Sequence, residues 1–413
     1  MTKKETSNYL MIVFVASMMM AASLGVNMNT AGVFIVPLVE AMDVPVASVS
    51  LHITLITLGS ALSGFVVPGI LRRFNIRRIV LVSTLVTAGM TVLMGQTSDI
   101  YLFNFLSFIR GLAAAFFNVI TVQQLINQWF VKYHGIVTSF VFSFSGIAGA
   151  LLSPLLSSLI TNYGLATAYL AQALLFLLIN IPATVLPYTL DPREMGMEAY
   201  GAHVFTEEER DQLHEEQRPM ALNLEQTRRN NLNIVLLMVF AFITTALTGL
   251  YQHLSGIGYE YGMELNQTSL LLSFCMIGNI LFKLMIGWLS DAKNTVFAVI
   301  SMFLVMLMGL ILLSFGFNFT VLYIASFLFG AVYSVSSVGR NLLSVNLLPR
   351  DTYGRVFPVI NFVSSIGGAL MISFFGLTFD MTQSYQTAIT LCIVMSLLGI
   401  TSTLFMKALP QTE

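Results

Sequence analysis

Ser107-Phe-Ile-Arg-Gly111 returns 219 residues later as Ser326-Phe-Leu-Phe-Gly330. A displacement of 218–219 residues also relates Gly69-Ile-Leu71 to Gly287-Trp-Leu289 and Gly149-Ala-Leu151 to Gly368-Ala-Leu370. Gly135 and Gly354 follow Gly111 and Gly330 by the same 24 residues. One such match carries little weight, but an offset shared along the chain does. The sequence reads as two copies of one unit.

The composition says what that unit is made of. Of 413 residues, 56% are hydrophobic and 9% charged, with mean hydropathy +0.82. A soluble domain carries about 25% charged residues, so most of this surface is expected to face lipid. A bilayer core takes about 20 apolar residues per helix. Twelve stretches qualify, at roughly 9–38, 50–71, 79–97, 101–127, 136–160, 165–188, 232–258, 267–289, 295–315, 319–346, 357–379 and 385–406. The expected fold is all-α, with six spans in 1–190 and six in 232–413. The polar segment 191–231, containing Glu207-Glu208-Glu209-Arg210-Asp211, connects them. The first apolar run, from Tyr9 past Val36, is too long for a signal-peptide core and lacks a small-residue cleavage site, so it reads as an uncleaved span.

Basic residues set the expected orientation. With the N-terminus in the cytoplasm, the inner loops hold Lys3, Lys4, Arg72, Arg73, Arg77, Arg78, Lys132, Arg193, Arg210, Arg218, Arg228, Arg229, Lys293, Arg350, Arg355 and Lys407. The outer loops hold none. These 16 of the 19 basic residues place both termini in the cytoplasm, and a bacterial inner membrane is the expected location. Duplicated membrane halves are the architecture of carriers that work by alternating access.

Other classes fit poorly. The net charge is −1, with no basic footprint for nucleic acid. Cys275 and Cys392 both lie in apolar runs, which gives neither a disulfide framework nor metal-ligand spacing. An enzyme would need a nucleophile–base pair or metal cluster, and the intramembrane His and Cys are too scattered. No cofactor is expected, and the chain is expected to work as a monomer in the lipid bilayer.

The chemistry should reside in the ionisable groups inside spans, each costing about 2.5–3.5 kcal/mol at a helix centre on insertion scales. They are Arg110, Lys283, Arg340, His52 and His253, while Glu40 and Asp291 mark helix ends. This cationic inventory favours an anion as the missing partner. Lys283 lies eight residues before Asp291, about 12 Å from that helix end at 1.5 Å per residue. Leu272, Met276, Asn279 and Lys283 share one helical face. The alternative is a lysine snorkelling to the interface, though the climb is long for one side chain. Arg110, near mid-span, either meets substrate or bonds neighbouring helices. Arg340 lies nine residues before Pro349, where it serves gating or structure or reaches the headgroups. Gly146, Gly149, Gly367 and Gly368 permit close helix packing.

Gly287-Trp-Leu-Ser-Asp291 and Gly69-Ile-Leu-Arg-Arg73-Phe-Asn-Ile-Arg77-Arg78 resemble the loop signature G-x-x-x-D-R/K-x-G-R/K-R/K of the major facilitator superfamily. The first copy lacks the acid. Since the motif locks the inner gate in that family, the resemblance assigns gating to Asp291, with Arg73, Arg77 and Arg340 near it. Three stretches resemble the monocarboxylate and oxalate:formate branch. They are Gly32-Val-Phe-Ile-Val-Pro-Leu-Val-Glu40, Trp129-Phe-Val-Lys-Tyr-His-Gly135, and Pro192-Arg-Glu-Met-Gly196 with Tyr200-Gly201. The usual Gly-Trp-Arg before helix six reads Gly164-Leu-Ala166.

That branch implies a small organic anion as substrate. Its helix-eight Asp and Arg fall here on Asn279 and Lys283, so the cation is kept and the acid lost. Its helix-one lysine falls on Asn29, and the oxalate exchangers' helix-eleven lysine has no counterpart. Both losses argue for a monocarboxylate over a dianion. Arg110 matches the family's helix-four arginine. Tyr251, Gln252 and His253 occupy the outer part of helix seven, where the family often presents polar groups to substrate. For His253 a satisfied interhelical bond is the alternative. Without the helix-eight acid, anion exchange or facilitated transport is expected over proton symport. Export of amphipathic drugs is less favoured, because such exporters usually use an intramembrane carboxylate.

Overall fold

The computed structural model describes residues 3–201, 224–316 and 318–406. With no water to satisfy a lone backbone, apolar runs of this length close their hydrogen bonds internally as helices. Helix α1 covers 3–42, as Lys3–Met20, Ala21–Asn29 and Gly32–Met42. Helix α2 covers 46–73, as Val46–Gly64 and Val67–Arg73, and is followed by α3 (Ile76–Met94) and α4 (Ile100–Trp129). The run His134–Val185 breaks at Gly164, whose φ of 83° suits a residue without Cβ. That break makes it two helices, α5 (134–163) and α6 (165–185). The remainder are α7 (Thr227–Glu260), α8 (Leu265–Ala292), α9 (Thr295–Phe315), α10 (Phe319–Leu347), α11 (Arg350–Thr382) and α12 (Gln386–Phe405). The twelve expected spans are all present. The acidic run Glu207–Asp211, Arg210, Arg218 and Lys407 lie outside the described residues.

The chain forms two compact units. The first is Met1–Phe205 with Glu264–Ser273, and the second is Thr206–Met263 with Phe274–Glu413. The sequence reading gives all of α8 to the second half, yet its first residues group with the first unit. There Ser273 Oγ donates to the Ala150 carbonyl at 2.7 Å, and Ser157 Oγ donates to Asn266 Oδ1 at 2.9 Å. Within the first unit α2 lies along α4, α1 along the α5–α6 run, and α3 against α4. Within the second, α7 lies along α11 and α12, and α9 along α10 and α12.

The repeat is visible in the packing. A Cβ on Gly59 of α2 would come within 2.6 Å of the Phe108 carbonyl oxygen of α4, and one on Gly111 would overlap the Ile56 carbonyl. In the second unit a Cβ on Gly278 of α8 would overlap the Phe327 carbonyl of α10, and one on Gly330 the Cys275 carbonyl. Both pairs bring backbone against backbone, as small residues permit in lipid.

Regular α-helix fails at matching places in both units. In α4, Ala115–Phe117 tightens to 3₁₀ and Asn118 is extended. In α10, Ser334–Gly339 widens to a π-turn. Helix α1 has a π-segment over Ala21–Asn29, and α7 a 3₁₀ stretch over Gly249–His253. Side chains take up the freed backbone groups. Asn118 Oδ1 accepts from the Val119 amide at 2.6 Å, and Ser63 Oγ donates to the Leu112 carbonyl at 3.0 Å.

At the basic-loop end of the first unit, the second and third branch-like stretches meet. Tyr200 N donates to the Trp129 carbonyl at 2.7 Å, and the Val131 and Lys132 amides donate to the Tyr200 carbonyl at 3.0 Å. Tyr9 of α1 packs edge-on to Trp129 and Tyr200, its hydroxyl donating to the Glu198 carbonyl at 2.7 Å. Trp129 Nε1 donates to the Thr189 carbonyl at 3.0 Å. This clasp ties α1, the α4–α5 loop and the chain after α6.

The glycine crossings give a stability prediction. Gly278→Val should destabilise the protein by about 1–3 kcal/mol, the usual cost of overpacking. Gly89→Ala, where an added Cβ meets nothing within 4 Å, should leave thermal unfolding in detergent unchanged.

Candidate functional site

In the first unit, Arg110 sits ten residues into α4, about 15 Å along the helix, and is only 2% exposed. Its Nε donates to Asn27 Oδ1 of α1 at 2.6 Å. Its Nη1 lies 3.8 Å from Met94 Sδ of α3, and its guanidinium carbon 5.2 Å from the Phe176 ring centre of α6. Asn27 belongs to the π-segment of α1.

Beside Arg110 is a narrow cleft of about 10 Å³. Asn27, His52, Tyr169 and Gln172 line it with polar groups, and Phe34 and Ile56 with apolar ones; among the described residues no carboxylate lines it. Gln172 Nε2 donates to the Val26 carbonyl at 3.0 Å and to Thr30 Oγ1 at 3.2 Å, while its Oε1 is buried without a partner. His52 Nδ1 is hydrogen-bonded to the Val49 carbonyl, and its ring stands edge-on to Phe103 at 5.2 Å. A carbonyl only accepts, so Nδ1 carries the hydrogen.

Asn29 does not line this cleft. Its Nδ2 donates to the Ser145 carbonyl at 2.9 Å, tying α1 to α5. Arg73 is exposed at the end of α2, and Arg77 is half-buried at the start of α3 with its Nε buried and unbonded.

In the second unit, Lys283 of α8 is half-buried. Among the described residues it has neither a hydrogen bond nor an ion pair. One turn away Asn279 is buried, its Nδ2 3.6 Å from Met276 Sδ and its Oδ1 without a partner. Asp291 is exposed at the end of the same helix.

The helix-seven group lies in the 3₁₀ stretch and is fully packed. The Tyr251 ring stands edge-on to Tyr333 of α10 at 5.8 Å, and Gln252 is buried. His253 is completely buried, and its Nε2 donates to the Ile372 carbonyl of α11 at 2.8 Å. This is the satisfied interhelical histidine, the alternative reading of the sequence. Arg340 Nη1 donates to Ser364 Oγ of α11, itself 2.9 Å from Thr245 Oγ1 of α7. The side chain is tied to these hydroxyls between α10, α11 and α7. Burial raises the Tyr353 phenol above its ordinary value, and the nearby Arg340 guanidinium opposes that rise.

The sequence reading did not gather Asn27, Tyr169 and Gln172 around Arg110, nor join His52 to them. The available signal was polar residues within apolar runs, but helix periodicity gives no partner on another helix.

The Arg110–Asn27 bond can be tested alone. Asn27→Ala leaves a buried charged donor unpaired, which should cost about 1–3 kcal/mol in thermal unfolding. Arg110→Leu combined with Asn27→Ala should cost less than the sum of the single changes, because neither partner is then left orphaned.

Residues 10–372 match the family model described as Major Facilitator Superfamily. Solved structures share the fold. The nucleoside transporter NupG, solved as a mutant, is 12% identical with TM-score 0.69, covering 96% of this chain and 98% of that one. A bacterial homolog to the human lysosomal transporter Spinster, in an inward-facing and occupied conformation, is 11% identical with TM-score 0.65, covering 98% and 97%. Comparison with curated protein sequences gives no match. The chain belongs to the Major Facilitator Superfamily and is a multi-pass secondary transporter, not an enzyme.

Proposed function

We propose that this member of the superfamily carries a small organic anion, a monocarboxylate, by alternating access, through anion exchange or facilitated passage. The observation that carries this reading is the state of the cations in the spans. Arg110 bonds a neutral amide, Arg340 a neutral hydroxyl, and Lys283 has no hydrogen bond or ion pair among the described residues. The acids within the described helices α1–α12, Glu5, Glu40, Glu260, Asp291, Asp351 and Asp380, stand at or near helix ends. A buried charge needs a counter-charge, and an anionic substrate supplies it.

The cleft beside Arg110 is tight, about 10 Å³, with room for about one water, so a carrier working by alternating access has to widen it to admit even a short carboxylate. Asn279 cannot titrate, which favours exchange or passage without obligatory proton symport. The basic loops support a reading with both termini in the cytoplasm of a bacterial cell and a monomer in the inner membrane. Asp291, Arg73, Arg77 and Arg340 are assigned to the inner gate.

Uptake of labelled lactate, formate, oxalate and benzoate into liposomes tests the class, with the monocarboxylates preferred over oxalate. Lys283→Gln should weaken anion binding by about tenfold, near the lower end of the roughly 1.5–3 kcal/mol that a hydrogen bond to a charged group contributes. Lys283→Arg should retain part of it. Normal uptake by the Gln variant would remove Lys283 from the mechanism. Concentration of lactate under an imposed pH gradient, with no counter-anion inside, would defeat the exchange reading.

Asp291→Asn should raise the labelling of inner-side cysteines, by weakening closure at that end. Unchanged labelling would count against the gate assignment.

A further inference from the structure

We infer that His52 is a switchable second cation of the Arg110 cleft, taking up a proton as a small carboxylate enters. This inference rests on the anion reading above and adds a proton to the bound state. Its basis is geometric. His52 from α2 and Arg110 from α4 line one cleft. The His52 Nδ1 hydrogen is committed to the Val49 carbonyl, so Nε2 holds the lone pair available to a proton. The groups facing His52 come from several helices. Arg110 of α4 and Tyr169 of α6 are the titratable ones lining the cleft, while α1 contributes Asn27 and Phe34, and α3 brings Met94 to Arg110.

With no anion bound, a protonated His52 would add a second positive charge beside Arg110, and no acid among the described residues lines the cleft to offset it. A bound carboxylate changes the sign of that interaction. It satisfies the Arg110 guanidinium with one oxygen and accepts from a newly protonated Nε2 with the other. The proton comes from water, and the cleft then holds two cations and one anion where it held one cation alone. Binding and protonation are therefore linked, so affinity rises as pH falls, by at most tenfold per pH unit for one proton. In exchange the proton stays with the site as one anion replaces another. His253 cannot substitute, since its Nε2 is spent on Ile372 and it lies in the other unit.

The test is titration calorimetry of the purified full-length protein with lactate and with benzoate. Two buffers of different ionisation heat, used from about pH 8 to pH 5 around the ordinary histidine range, count the protons taken up. Wild type should take up as much as about one proton per anion, with affinity rising on acidification. His52→Gln and His52→Asn, both checked for unaltered thermal unfolding, should bind with no proton uptake and a flat pH profile. Arg110→Gln should lose binding at every pH. Proton uptake that persists in either folded His52 variant overturns the inference and leaves the anion site standing. Binding by wild type without proton uptake has the same consequence. If neither acid binds wild type at any pH, the anion reading falls, and this inference with it.

Discussion

A charge inside a bilayer has no water to fall back on, and its partner must come from the protein or from what the protein carries. That constraint orders most of this structure. It forces the backbone into helices, and it turns hydroxyls back on their own chain, as in Thr84 Oγ1 to the Val80 carbonyl and Thr91 Oγ1 to the Thr87 carbonyl. It also makes polar side chains into cross-ties between helices. Gln172 reaches from α6 to α1, Asn180 from α6 to Thr84 of α3, and Asn29 from α1 to α5. Each tie removes a desolvation cost of about 1–3 kcal/mol that an unmade bond would impose. Against that background, cations whose protein partners are neutral stand out.

The two copies keep their packing and part company in their chemistry. Gly59 and Gly111 have counterparts in Gly278 and Gly330, with the same backbone-to-backbone crossing in each unit. Shifted by the same offset, Arg110 falls on Phe329, His52 on Leu271, and Lys283 on Gly64. Phe329 is completely buried, filling with hydrocarbon the place where the first unit buries a charge. Backbone approach tolerates no side chain, so both copies retain those glycines. A charged site is needed once, and the other copy is free to replace it with apolar bulk.

The sequence and the structure agree where a signal is long and local. Twenty apolar residues announce a span, and among the glycines expected to permit close packing Gly367 does so, a Cβ there coming within 2.6 Å of the Phe242 carbonyl oxygen. Residues whose meaning lies in a partner on another helix were much less legible. His253 and Asn29 carry the family positions for a site, yet both spend their donors on carbonyls of α11 and α5. His52 was visible as a histidine in a span and nothing more, since Arg110 stands 58 residues away on α4. The Gly164 turn was legible only as a departure from the family's Gly-Trp-Arg. In the fold its left-handed φ separates α5 from α6 within one continuous helical run.

The clasp at the basic-loop end joins Tyr9, Trp129 and Tyr200, all within the first 201 residues of the chain. Domains generally fold as units, N-terminal first, while synthesis proceeds. Tyr200 lies 15 residues after the end of α6, so the clasp with Trp129 needs no residue of the second copy. Helices α1, α4, α5 and α6 would then be joined at one end by contacts from the first copy alone. Two similar six-helix copies in one chain risk exchanging helices during assembly. Closing the first copy on itself with an aromatic knot from its own tail protects against that error, and gives the chain after α6 a part in the order of assembly.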